Sequence, residues 1–315
     1  MMTRNSNAQN SPILITGTGA MASLFAAQLA SAGNEVIMLG TWQKAIDQIN
    51  QHGLLLEQQG QIKQIHSVRA TSDPAEVRNV RLALVLGKAW QTQRIADQLA
   101  LCLPKDGLAL SLQNGLGNRE ILTASLGIER VGVGVTTLGA TLLGPGRVRQ
   151  AGEGSVMLED DLNLASFSAR LRHSGFFVET TPDLAGLQWG KLVINAAINP
   201  LTALLGVANG ELLVHNEVRR MLEKLAREAA QVASLQGIRL PYPDPVTAVE
   251  AVAERTAQNL SSMLQDVRRG APTEVDQISG AVVRVGERLG FPTPVNRLVW
   301  QLVKTLNPEK RLVSV

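Results

Sequence analysis

Cysteine occurs once in the 315 residues, at Cys102, so the chain has neither a disulfide framework nor a thiolate metal cluster. Its surroundings, LALCLP, read as those of a buried structural thiol rather than a nucleophile. Histidine is nearly as scarce. His52, His66, His173 and His215 stand apart without ligand spacing, and a metal site has no support. No run reaches the roughly 18–20 apolar residues that a membrane-spanning helix needs. The polar opening MMTRNSNAQNSP lacks the apolar centre of a signal peptide, which makes the cytoplasm the expected compartment. An excess of one charge is missing too. The formal net charge is +3, and the short basic runs Arg268–Arg269 and Lys310–Arg311 are read as solvated turn and tail. Neither a nucleic acid, which needs clustered Lys and Arg, nor a membrane is an expected partner.

What is present is a chain that is 45% hydrophobic and long enough for two domains, each with its own core. Its most informative segment lies between Leu187 and Ala208. There the apolar run LQWGKLVINAAINPLTALLGVA is interrupted at Gln188, Lys191, Asn195, Asn199 and Thr202. These spacings put the polar groups on one stripe of a helix. Pro200 is expected to kink that helix near its end, which makes Thr202 the least secure member. Burying an unpaired amide costs about 1–3 kcal/mol, and an unpaired ammonium costs several more. The stripe must find partners or face a wet cleft. Asparagines one turn from a lysine suit an anion or a carbonyl compound.

The first half alternates strand and helix: PILITG, a helix from Ala20 to Ala32, a Gly33-Asn34 turn and EVIML. A small hairpin around Gln59-Gly60 follows. Then come LALVL, a helix from Trp90 to Leu101, LALSL, a helix after Gly117, and VGVGVTT. This alternation predicts a parallel sheet covered on both faces. GATLLGPGRVRQAGEGSVMLED predicts antiparallel strands extending that sheet, followed by a helix from about Asn163 to His173 and the strand FFVETT. Thr181-Pro182-Asp183 is the expected boundary. Beyond it the pattern is helical: the striped helix, Asn216 to Gln236, Pro245 to about Asp266, and Thr273 to Leu289. In the last of these, Val275, Ile278, Val282, Val285 and Leu289 share a face. The expected fold is therefore an α/β Rossmann-type N-terminal domain over residues 1–182 and an all-helical C-terminal domain over 183–315.

Gly17-Thr18-Gly19-Ala20-Met21-Ala22 follows the first strand and opens the first helix, the setting of the G-x-G-x-x-G/A dinucleotide fingerprint. Gly17 permits the tight turn, Gly19 lets the backbone approach a pyrophosphate at the helix N-terminus, and Ala22 keeps helix and strand close. A Gly-rich turn without a ligand is the plainer alternative. An NAD enzyme usually carries a carboxylate at the end of the second strand. Here Leu39-Gly40-Thr41 stands there, with Lys44 one turn on. Lys44 suits the 2′-phosphate of NADP, and is equally compatible with a solvated helix position.

With these residues in view, the chain resembles the ketopantoate reductases (2-dehydropantoate 2-reductases) from about Ile13 to about Arg297. The blocks that carry the likeness are GTGAMAS, LGKAWQ, LQNGLG, WGKLVINAAINPLTAL, ANGEL, NLSSMLQD and PTEVDQISG. The resemblance implies that Lys191 is the general acid, protonating the ketone oxygen as hydride arrives. A partly desolvated lysine beside a developing alkoxide suits that role. A lysine salt-bridged between domains is the alternative. It further implies that Asn195, Asn199 and Asn209 bind substrate and that Ser262 holds its carboxylate. Asn209 also suits an Asn-Gly turn, and Ser262, spaced with Asn259 and Asp266 on one helix face, also suits an ordinary helix position turned to water. Glu274 is implied as a catalytic carboxylate near Lys191 and the cofactor, against a first-turn carboxylate complementing a helix dipole. Lys88 and Asn114 follow two parallel strands at their C-terminal ends. The family makes them cofactor contacts, with Asn114 also reaching substrate. Ala140 matches a small residue beside the cofactor, though sheet packing explains it too.

Thr41 stands where family members commonly have an arginine for the 2′-phosphate. It is expected as a cofactor contact whose hydroxyl can hydrogen-bond a phosphate but brings no charge, so NADH is expected to be tolerated beside NADPH. The implied activity is NADPH-dependent reduction of 2-dehydropantoate to (R)-pantoate, a step toward pantothenate and coenzyme A, in a cleft between the domains. The partner is a small 2-keto acid, and a homodimer stays open. A reductase of another branched 2-keto acid and a non-catalytic NADP-sensing protein are the competing readings. A lactate- or malate-type dehydrogenase has less support, since no His–Asp pair with a substrate-clamping Arg is evident.

Overall fold

Short apolar runs such as Ile13-Leu14-Ile15, flanked by glycine or polar residues, are buried on both faces, as strands inside a covered sheet must be. The computed structural model describes residues 11–306; the opening residues 1–10 and the Lys310–Arg311 pair lie outside them. It divides into two units. One comprises the chain up to Gln113 together with Asn118–Leu184, and the other comprises Asn114–Gly117 together with the chain from Ala185 onward.

The first unit contains β1 (Ile13–Thr16), β2 (Val36–Leu39), β3 (Leu54–Gln58), β4 (Gln61–Ile65), β5 (Val68–Thr71) and β6 (Leu82–Val85). It continues with β7 (Leu108–Ser111), β8 (Val131–Thr136), β9 (Ala140–Gly144), β10 (Arg147–Gln150), β11 (Ser155–Glu159) and β12 (Phe177–Thr181). Eight of them form one sheet in the order β12-β11-β8-β7-β6-β1-β2-β5. The run from β5 to β8 is parallel throughout, with Ile13 of β1 opposite Val36 on one side and Leu82 on the other. Its strands reverse direction of succession at β1 and β6, the doubly wound arrangement whose switch point binds ligands. Helices α1 (Ala20–Ser31), α2 (Gln43–His52), α3 (Thr92–Cys102), α4 (Asn118–Leu126) and α5 (Ala165–His173) join the strands. Single 3₁₀ turns at Ala89–Gln91 and Leu162–Leu164 delay the starts of α3 and α5 beyond Trp90 and Asn163. Helix α1 is apolar nearly all round, and its Phe25 stacks on Phe176 with ring centroids 4.5 Å apart.

The hairpin expected at Gln59-Gly60 forms through two residues of positive φ, 50° and 76°. One expectation fails nearby. Strands β9 and β10 do not extend the main sheet but join this hairpin in a second sheet, β4-β3-β10-β9, with β10 parallel to β3. The cause is a shared apolar face: Leu54, Leu56 and Val148 are buried in the cluster that contains α1. Only β11 reaches the large sheet, antiparallel to β8, and β12 adds beside it.

The second unit is built from α6 (Leu184–Leu205), α7 (Asn216–Leu235), α8 (Pro245–Arg255), α9 (Ser262–Arg268), α10 (Ser279–Arg288) and α11 (Pro294–Thr305). Helix α6 runs on past Pro200 to Leu205. The single helix expected from Pro245 to Asp266 is two. The carbonyls of Ala257 and Asn259 accept from the amides of Gly210 and Asn209, at 3.1 and 3.0 Å, instead of continuing a helical ladder. Ser261 then caps a new helix by accepting from the Leu264 amide at 3.1 Å. The helix expected from Thr273 begins only at Ser279, after a wide turn in which the Gly280 amide reaches back to the Val275 carbonyl. Leu289, expected on its buried face, is exposed. Helix α11 was absent from the sequence reading. Pro294 opens it, and Glu228 of α7 accepts from the amides of Val295 and Asn296, both at 2.9 Å. Among the described residues no helix is long and apolar enough to cross a membrane.

Candidate functional site

In the sheet unit, the fingerprint turn lies where β1, β2 and β6 end together. The Gly17 amide donates to the Leu39 carbonyl at 2.7 Å. Gly17 has φ 100°, and a Cβ there would lie 3.0 Å from the Gly87 Cα. Gly19 differs. A Cβ on it would meet nothing within 4 Å, and it precedes α1, whose first turn has no side-chain cap and no acidic residue. The orphan amides of that turn, with the positive end of the helix dipole, can receive a phosphate. The residues present therefore fit a dinucleotide. Ala20 and Met21 are half-buried in the first turn, and Ala22 is fully buried. The Thr18 side chain is buried under Gly40, whose Cβ would meet it at 2.8 Å, so Thr18 offers only its backbone.

Lys88 begins the turn beyond β6, at the switch point. Gln113, which the sequence reading passed over, fixes that turn: its Nε2 donates to the Gly87 carbonyl at 2.9 Å and to Thr92 Oγ1 at 3.0 Å. Its position two residues after the end of β7 was the available signal. Thr41 and Lys44 are exposed beyond the end of β2, and Ala140 is half-buried as the first residue of β9. Cys102 is half-buried and its thiol is pushed up to about 11 by burial, so it is protonated at neutral pH and is not a nucleophile.

The helical unit assembles a charged cluster. The Asn114–Gly117 loop is held by the Leu116 amide, which donates to the Gln277 carbonyl at 3.1 Å. Gly115 has φ 80°, and any Cβ there would run into that same carbonyl. This close approach lets Asn114 Nδ2 donate to Glu274 Oε2 at 3.2 Å. Glu274 is only 5% exposed and sits in the turn before α10, rather than in a helix first turn. Lys191 of α6 feels two opposed influences. Burial pushes its ammonium down to about 8, while the neighbouring Glu274 carboxylate raises it.

Further along α6, Asn195 is half-buried and Asn199 is buried. Asn209 is 8% exposed; its Nδ2 donates to Thr256 Oγ1 at 2.8 Å, while Oδ1 is a buried acceptor without a protein partner. Ser262 is half-buried at the first position of α9. Asn259 does not share its helix, contrary to the expected i, i+3, i+7 face, because the chain breaks between α8 and α9. Asp266 is buried and paired with Arg269 at 2.8 Å. The structure thus brings Lys191, Glu274 and Asn114 together, with the α6 asparagines one and two turns from the lysine.

Two family models match the chain. The one described as ketopantoate reductase PanE/ApbA covers residues 13–161, and its C-terminal counterpart covers residues 183–307. A 2-dehydropantoate 2-reductase of Archaeoglobus fulgidus is 36% identical over 299 residues, covering 93% of this chain and 96% of that protein. A crystal structure of a PanE/ApbA family ketopantoate reductase from Ralstonia eutropha JMP134 aligns with TM-score 0.88 and 33% identity, covering 96% of this chain and 100% of that one. D-mandelate dehydrogenase, solved with NADH and anilino(oxo)acetate, aligns with TM-score 0.89 and 29% identity over 96% of this chain and 100% of that one.

Proposed function

Because the chain belongs to the ketopantoate reductase PanE/ApbA family, we propose that it reduces 2-dehydropantoate to (R)-pantoate with NADPH, with Lys191 donating the proton. The observation that carries the proton assignment is the Lys191–Glu274–Asn114 cluster. A desolvated ammonium, held near a buried carboxylate, titrates at about 8 and is protonated at neutral pH. It can stabilise the growing alkoxide and then protonate it. Asn195, Asn199 and Asn209 offer amides that both donate and accept, suited to a keto carboxylate bearing a hydroxyl. Ser262 binds the carboxylate. The substrate unit runs from about residue 183, and the dinucleotide unit ends near 182.

Gly17 to Ala22, Lys88 and Asn114 would hold the dinucleotide, with Ala140 and Glu274 beside it. Bound there, NADPH supplies the hydride that reduces the ketone. Thr41 is exposed and uncharged, and Lys44 follows it, so NADPH is used and NADH is tolerated. The reading includes a cytoplasmic location, and sedimentation decides between monomer and homodimer.

The test is loss of reduced-nicotinamide absorbance across a panel of 2-keto acids, with NADPH and NADH separately. The 2-dehydropantoate and NADPH pair is expected to give the highest kcat/KM, by about a hundredfold or more over analogues lacking its hydroxyl. The likeness to D-mandelate dehydrogenase motivates the second reading, reduction of an aryl-substituted 2-keto acid. A higher kcat/KM for such a substrate with NADH would replace the first reading with it.

The pH profile gives a separate prediction. Reduction needs protonated Lys191, so kcat/KM holds below about 8 and falls as the pH rises beyond it. Glu274→Gln removes the neighbouring negative charge that raises this value. The alkaline limb of that variant is expected to move down by roughly one pH unit. An unmoved limb would detach Glu274 from the proton donor.

A further inference from the structure

Thr202 ends the α6 stripe and has no part in the proposed chemistry, yet it is fully buried, at 0% exposure. Its Oγ1 lies 2.9 Å from the Asn199 carbonyl oxygen, 3.1 Å from that of Ile198, and 2.6 Å from Ser261 Oγ. Ser261 is itself buried and accepts from the Leu264 amide at 3.1 Å as the cap of α9. Each hydroxyl has a single proton to give. The shortest contact takes the Thr202 proton: Thr202 Oγ1 donates to Ser261 Oγ, which also accepts from the Leu264 amide, while the Asn199 and Ile198 carbonyls are alternative acceptors of that proton. The pair joins the first turn of α9 to α6 three residues beyond Asn199, and Ser262 is the next residue after the cap.

Helix α9 has seven residues, is separated from α8 by the break, and buries Met263 and Leu264. Two hydrogen bonds lead from it to the end of α6: the buried Thr202–Ser261 pair, and Arg268 Nη2, which donates to the Gly206 carbonyl at 3.0 Å. The second is exposed and competes with water. The first sits where a lost partner leaves a hydroxyl buried and unsatisfied.

We propose that Thr202 and Ser261 form a buried hydroxyl pair that positions Ser262 against Asn199, making Thr202 a positioning residue for the substrate carboxylate. This rests on the reading that Asn199 and Ser262 bind the keto acid. Thr202→Val keeps the shape and removes the hydroxyl. It is expected to raise KM for 2-dehydropantoate roughly tenfold, the ratio that corresponds to one buried hydrogen bond. kcat should stay within about twofold, because Lys191 is untouched, and NADPH affinity should not change. Thr202→Ser retains the hydroxyl and is expected to keep KM near that of the parent. Because Thr202 acts through Ser262, Thr202→Val/Ser262→Ala should have no higher KM than Ser262→Ala.

A Thr202→Val protein with a lowered Tm and an unchanged KM would overturn the proposal, as would a Thr202→Ser protein with KM raised as far as in Thr202→Val. If Ser262→Ala raises KM and Thr202→Val does not, the positioning role alone falls. If Ser262→Ala leaves KM unchanged, the substrate-binding reading fails and the positioning role falls with it.

Discussion

Lys191→Ala is expected to lower kcat for 2-dehydropantoate reduction by about four orders of magnitude while NADPH still binds. General-acid catalysis alone contributes about 10²–10⁴-fold, and loss of a charge aimed at the developing alkoxide adds to it. The substitution has a second consequence that must be separated from the first. Glu274 is 5% exposed, and without the ammonium its charge keeps the Asn114 amide but loses its cation. Removing the cation beside a buried carboxylate is destabilising, because the carboxylate stays desolvated. Lys191→Ala is therefore expected to melt early. Lys191→Ala/Glu274→Gln removes the stranded charge and should recover much of the Tm without recovering kcat. Steady-state assays, a fluorescence titration with NADPH and thermal melts of both variants make the check. Turnover within tenfold of the parent in a folded Lys191→Ala protein would remove Lys191 from the role of acid.

How far the sequence led toward this site depends on how local the signal is. Lys191, Asn195 and Asn199 were legible because a helix repeats its faces by itself, and a polar stripe in an apolar run has few explanations. The partners of that stripe were not legible. Ser261 and Thr202 lie 59 residues apart, and nothing in either segment announces their pairing. The break before Ser261 was missed because Asn259, Ser262 and Asp266 fit a helical face. What ends the helix is distant: the Asn209 and Gly210 amides claim the carbonyls that helical continuation needs. The start of α10 was misplaced for a similar reason, since the 274–278 turn owes its shape partly to the loop at Leu116.

The same division runs through the sheet unit. The parallel strands are short, apolar and separated by helices, so their alternation was readable. The second sheet was not, because it depends on Leu54, Leu56 and Val148 sharing the side of α1. Burial against a common partner is a property of three segments at once, whereas strand propensity belongs to each alone. Ser-Ser before an apolar turn was a readable cap signal for α9, and Pro294 after Thr293 was one for α11.

Gly17→Ala is expected to raise the Kd for NADPH by about a hundredfold, and two other glycines make the cause separable. At Gly17 the backbone has φ 100°, a region that costs an L residue on the order of 1–3 kcal/mol. The new methyl would also sit 3.0 and 3.2 Å from the Cα and N of Gly87, which is backbone and cannot rotate away. Gly87 is itself held, because Gln113 bonds its carbonyl and Ile95 fills the space where its own Cβ would be. The β1–α1 turn must move, and with it the free amides at the start of α1. Gly33→Ala carries similar strain at φ 85° but meets nothing within 4 Å, so it should lower Tm and leave Kd alone. Gly19→Ala is the converse. Its φ of −84° is one alanine adopts, and its Cβ meets no protein atom, so the fold should be unharmed. Only a phosphate drawn against that backbone would feel the methyl, and Kd should rise with Tm unchanged. Isothermal titration with NADPH and thermal melts of the three variants read both quantities. An unaltered Kd in Gly17→Ala and Gly19→Ala together would reduce the fingerprint to a turn, because no bound pyrophosphate tolerates a methyl at both positions.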